Sequence, residues 1–285
     1  MTMEGGVVWR ATRNPEGPVT TRLCVDIASR RLMARAWGDG AAWAIEQLPE
    51  LVGDADDPAP LHRRLIGGSE ARRRADGVIK ALAARQGGLR IPRSAAVLEA
   101  IVPVVLAQKV TGVEAKRSYR EMVGQLGTAA PGPGAARGLL VPPDAPTLTA
   151  TPSWVMHRFG VERKRAEAIT AAALAHRRLE QALCLPADEG RRRLRAVAGL
   201  GPWSAAEVAL VALGDPDAVS IGDYHLPNQV AWALAGEARA DDARMLELLE
   251  PYRGQRGRVI RLIVSSGIRA PRFGPRSPVR SFRHH

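Results

Sequence analysis

Residues Val197 to Asp223, VAGLGPWSAAEVALVALGDPDAVSIGD, decide how the rest of the chain is read. Gly199 and Gly201 sit two apart between apolar residues, at a break in helical sequence. Glycine reaches positive φ and carries no Cβ, so the chain can turn sharply there and face its N–H groups outward. Ala205 to Leu213, AAEVALVAL, holds one charge and no breaker, and is predicted as an apolar helix. The polar turn Gly214-Asp215-Pro216-Asp217 ends it. A new helix is expected near Tyr224, with Asp223 at its entrance in the position of an N-cap.

A glycine turn that offers main-chain donors to an anion, followed downstream by a lone aspartate, resembles the helix-hairpin-helix–GPD superfamily of DNA base-excision glycosylases. Gly-Leu-Gly-Pro-Trp-Ser-Ala at the start, and Asp223-Tyr224 after the Gly-Asp-Pro turn, are most similar to its alkylpurine (3-methyladenine DNA glycosylase II) branch. The resemblance implies a mostly α fold of two helical subdomains with a small N-terminal antiparallel β-subdomain. It implies an enzyme that flips a damaged, alkylated purine out of duplex DNA and hydrolyses its N-glycosidic bond in base excision repair. Two other functions stay open: a glycosylase for deaminated or bulky adducts, and a non-catalytic, structure-specific DNA-binding protein.

The composition fits a polyanionic partner. The chain has 285 residues, a formal net charge of +12 and a pI near 10.9, which makes duplex DNA the first partner to consider. Arg253, Arg256, Arg258, Arg261, Arg269, Arg272, Arg276, Arg280 and Arg283 follow Pro251 with no acid among them. Cys24 and Cys184 both lie in apolar sequence and are expected to be buried thiols. Two thiols cannot supply the four ligands of an iron–sulfur cluster, which excludes a clustered enzyme, and no other cofactor is expected. No apolar run reaches membrane-spanning length. A soluble, cytoplasmic monomer is expected.

Outward from the decisive stretch, residues 1–52 are predicted as a β-rich subdomain. Val7–Ala11, Leu23–Ile27 and Leu32–Trp37 form its strands, and Trp9 and Trp37 its core. Residues 53–268 are predicted as the helical glycosylase core, with the helix-hairpin-helix near 188–213, and 269–285 as a basic arm. Pro60 to Ala84 is expected to be helical with a break at Gly67-Gly68. Ser94 is expected to cap a long apolar helix ending near Gln108, and a second runs from Val113 to Leu126. The segment 128–146, rich in proline and glycine, is predicted as a surface loop, and Val161 to Leu179 as an amphipathic helix with a basic face.

The resemblance assigns roles to positions that match. Asp223 would be the catalytic carboxylate. Gly199, Leu200 and Gly201 would hold a phosphate, and the carbonyls of Ala198 and Gly201 are a possible seat for a monovalent cation; no side chains are expected to bind metal. Gln108 matches the residue that fills the gap left by a flipped base, and Lys109 replaces the usual apolar wedge. Lys164, Arg165 and Arg253 join the DNA-binding set, although a solvated basic face explains the first two nearly as well. Trp203 stands where strand-cutting members carry a lysine. With Tyr224 and Trp154 it is expected to line the base pocket. Glu207, one turn beyond Trp203, either faces that pocket or lies on the helix surface, and His157 is the commoner structural histidine.

Overall fold

The computed structural model describes residues 1–66 and 72–271. Four antiparallel strands, β1 (Thr2–Glu4), β2 (Val7–Asn14), β3 (Gly17–Asp26) and β4 (Arg31–Trp37), form a meander in the order 1-2-3-4. Side chains alternate between faces along a strand. Trp9 and Ala11 therefore share the buried face, and Trp9 stacks on Trp37 with ring centroids 5.7 Å apart.

The predicted loop at 128–146 is instead built into this layer. β5 (Thr128–Ala129) and β6 (Leu140–Val141) pair with each other, and Ala130, Leu139 and Val141 join Trp9 in one apolar cluster. Gly132 and Gly134 are packing residues. A Cβ on Gly132 would sit 2.8 Å from Trp37 Cβ, so the turn lies flush on the sheet. The glycines and prolines that suggested an exposed loop are what allow this close approach.

Among the described residues there are sixteen helices, thirteen of them in two groups. The first group, packed around one apolar cluster, holds α5 (Val97–Leu106), α6 (Gly112–Leu126), α8 (Ala145–Ala150), α9 (Ser153–Arg158), α10 (Arg163–Leu174), α11 (His176–Glu180), α12 (Ala187–Arg195) and α13 (Pro202–Val208). The second packs α3 (Ala59–Ile66) and α4 (Arg73–Arg85) with α14 (Leu226–Ala235), α15 (Asp242–Leu249) and α16 (Arg256–Ser265). The short α1 (Ala41–Glu46), α2 (Leu48–Val52) and α7 (Pro133–Ala136) lie against or next to the sheet. The chain thus starts the second lobe, builds the whole first lobe, and returns to finish the second. The crossing falls at one bond, because Ala218 belongs to the first cluster and Val219 to the second.

Several boundaries differ from expectation for local reasons. α5 begins at Val97 and Ser94 does not cap it. The carboxylate of Glu180 takes that role, accepting the N–H groups of Val97 and Leu98 at 3.1 and 3.0 Å. The basic helix breaks at Ala175 into α10 and α11. α13 starts earlier than predicted, at Pro202, a residue suited to the first helical position. Its continuation, Ala209–Leu213, widens into a π turn closed by Gly214 at φ 67°.

Neither cysteine is buried: Cys24 is half-buried beside Arg22, and Cys184 is exposed. The Gly67-Gly68 break and the arm beyond Pro271 lie outside the described residues.

Candidate active site

α12 ends at Arg195, and the chain turns through Val197–Gly201 into α13. Gly199 has φ +85°, and a Cβ there would collide with Ala168 on α10. Leu200 is 3% exposed and anchors the turn in the first lobe. Gly201 is different. It has φ −75°, is exposed, and an added Cβ would meet no atom within 4 Å. The amides of Gly199 and Gly201 find no acceptor among the described residues. The Gly201 carbonyl closes the first turn of α13 by accepting Ala205 N–H at 3.0 Å. Among the described residues, no group of three or more acidic, His or Cys side chains could hold a metal.

Gln108 follows the end of α5 and reaches this turn. Its Nε2 donates to the Gly199 carbonyl and to Ser204 Oγ, both at 2.8 Å. Lys109 beside it takes φ +56°, a conformation that costs any residue but glycine. Lys164 is exposed on the first turn of α10. Arg165 is not available to DNA: it is 4% exposed and donates to the carbonyl of Leu106 at 3.0 Å. Its assignment to a DNA contact therefore gives way to a structural one, closing the C-terminus of α5 just before Gln108. Burial pushes its guanidinium below the usual arginine value, against the pull of Glu162 and Glu114. Arg253 is exposed and held by both oxygens of Glu250 at 2.7 Å.

Asp223 sits at the seam between the lobes, four residues past the crossing. Its Oδ2 accepts the indole N–H of Trp203 at 3.2 Å, and its Oδ1 accepts the amides of His225 and Leu226 at 2.8 and 2.9 Å. The carboxylate thus satisfies the start of α14 with one oxygen and faces α13 with the other. Trp203 is half-buried. Tyr224 next to it is 87% exposed and meets His225 edge-to-face. Trp154 is 61% exposed, with Arg158 over its ring at 5.2 Å, and among the described residues it shares no hydrogen bond or ring contact with Asp223. The buried Nε2 of His157 has no partner among the described residues.

Glu207 is half-buried and accepts the hydroxyl of Ser220, in the segment that leads to Asp223. The surface alternative for Glu207 is thereby removed. Ser220 itself carried no signal in the sequence, because its partner lies on another element.

No family model matches the chain. A curated relative from Mycobacterium tuberculosis, named a probable bifunctional transcriptional activator/DNA repair enzyme AlkA, is 30% identical over 154 residues. That match covers 53% of the chain and spans 30% of the relative's length. Among solved structures, a 3-methyladenine DNA glycosylase from Archaeoglobus fulgidus superposes with a TM-score of 0.74 at 20% identity, covering 92% of this chain and 88% of that one. An 8-oxoguanine glycosylase/lyase from Clostridium acetobutylicum gives 0.63 at 12% identity, covering 90% and 87%. A 3-methyladenine DNA glycosylase of Schizosaccharomyces pombe, solved with abasic DNA, gives 0.56 at 17% identity, covering 74% and 97%. The fold is that of the helix-hairpin-helix DNA glycosylases.

Proposed function

We propose that the chain is a monofunctional DNA glycosylase of the alkylpurine branch, releasing alkylated purines from duplex DNA by hydrolysis. The observation that carries this is Asp223, oriented at the lobe seam by two amides and by the indole N–H of Trp203, which lies on the helix that follows the glycine turn directly. Breaking an N-glycosidic bond leaves positive charge on the sugar, while the base departs with the bonding electrons. At about 4 Å and an effective dielectric near 20, a carboxylate stabilises that charge by roughly 4 kcal/mol. That corresponds to about a thousandfold in rate. Water then adds to C1′, oriented by the same carboxylate, and its surplus proton passes to solvent.

The free amides of the turn suit a phosphate, read without regard to sequence. The solved relative with abasic DNA and the curated DNA repair relative support the same partner. The exposed ring of Tyr224 and the face of Trp203 suit a cationic methylated base, since ring faces attract cations. Such a base leaves readily and needs little protonation. Trp203 also occupies the position where a lysine would form a Schiff base, so the strand is left uncut.

The test is free-base release from duplexes carrying 7-methylguanine or 3-methyladenine. Wild type is expected to release base, and Asp223→Asn to be about a thousandfold slower. The strand should stay intact until alkali is added, and borohydride should trap no covalent adduct. Equal rates for the two proteins would remove Asp223 from the chemistry. Binding without release of any base would leave a DNA-binding protein only.

A further inference from the structure

Asp223 is tied to α13 at two levels. Trp203 holds its carboxylate directly. One helical turn further on, at the i+4 position of the same face, Glu207 accepts the hydroxyl of Ser220. The carbonyl of Ser220 in turn accepts the N–H of Asp223 at 3.3 Å. From the opposite side, Asp242 at the start of α15 accepts Gly222 N–H at 3.0 Å. The loop between the lobes is therefore gripped by a helix of each. Ser220 is only 6% exposed, so its hydroxyl has little access to water should Glu207 be lost.

We infer that Glu207, acting through Ser220, is a positioning residue for Asp223 and does not recognise the base. This rests on Asp223 being the catalytic carboxylate. One of the two carboxylate oxygens of Glu207 is occupied by the Ser220 hydroxyl, which ties α13 to the loop that carries Asp223. A bond between a hydroxyl and a carboxylate is among the stronger kinds. Small displacements of a reacting group are costly in rate.

Single-turnover release is to be measured for Glu207→Ala, Ser220→Ala, the double variant and Glu207→Gln, on 7-methylguanine and on 3-methyladenine duplexes. Both single alanine variants should slow release about tenfold, equally for the two lesions. The double variant should be no slower than either single, because one bond is lost in all three. Affinity for an abasic-analogue duplex should not move. Glu207→Gln keeps a carbonyl oxygen for Ser220 and should restore most of the rate.

A second readout is independent of catalysis. The indole N–H resonance of Trp203, identified by its loss in Trp203→Phe among the six tryptophans, should shift in Glu207→Ala and return in Glu207→Gln. Slowing of only one lesion, additive single variants, or an unmoved resonance would each overturn the inference. If wild type releases no base, the proposed function fails. The resonance still decides whether Glu207 sets the pose of Asp223.

Discussion

At the scale of single residues, the two glycines of the hairpin look equivalent in sequence and are not. Gly199 combines a positive φ with direct contact against α10, whereas Gly201 has an ordinary φ and empty space where a Cβ would go. Gly199→Ala should therefore destabilise the fold by about 2 kcal/mol or more, from left-handed strain and from the collision with Ala168. Gly201→Ala should melt as wild type does and lose affinity for duplex DNA, since its new methyl occupies the space a phosphate would take. Thermal melts and duplex titrations on the two variants separate these roles. Equal stability in both variants would refute the packing argument. Arg165 gives the reverse lesson, because its neighbour Lys164 is exposed while it is buried under α5. The sequence shows a basic pair, and only the packing shows that the two charges do different work.

At the scale of elements, the start of α5 is held by a distant partner. Glu180, 83 residues from Val97, accepts two of the helix's first amides. Glu180→Ala should cost about 1–2 kcal/mol, as for other lost N-caps, and Glu180→Gln should cost less because one acceptor remains. Denaturant melts measure both; an unchanged midpoint in Glu180→Ala would show that water serves α5 equally well. This contrast explains what was legible in the sequence. Thr111 and Glu114 form a capping box at the start of α6, and residues three apart can be read from the chain alone. The hairpin, Asp223 and Trp203 were legible because they occur within one continuous stretch and resemble a known pattern. The Glu180 cap, the Gln108 bonds to Gly199 and Ser204, and the Ser220 bond to Glu207 were not. Each joins groups from different elements, and sequence spacing holds no record of which elements meet. The segment 128–146 was misjudged for the same reason, since glycine permits an exposed turn and a close contact equally well.

At the scale of the whole molecule, the basic C-terminal run is partly neutralised by the fold. Arg253 is paired with Glu250, Arg256 with Asp217, and Arg258, which is 2% exposed, with Asp56. Those charges fasten the molecule instead of adding to its positive surface field. Asp217 has the most to lose, because it also accepts the amides of Gly254 and Arg256 at 2.7 and 3.0 Å. Burial raises its carboxyl, but the Arg256 bonds and charge outweigh burial and hold it below the usual value of 3.8. A carboxyl held low when folded adds stability above its unfolded pKa, and that stability is lost as pH falls through the folded one. Asp217→Asn should therefore lose about 3 kcal/mol at neutral pH, as a half-buried pair is broken. It should also lose less than wild type does on going from neutral pH to below 3.8. The turn at stake, Gly214–Asp217, binds Arg191 of α12 through Asp215 and Arg256 of α16 through Asp217, three residues before Ser220. Melts of both proteins across this range decide the matter: parallel curves would mean that some other carboxylate carries the acid sensitivity.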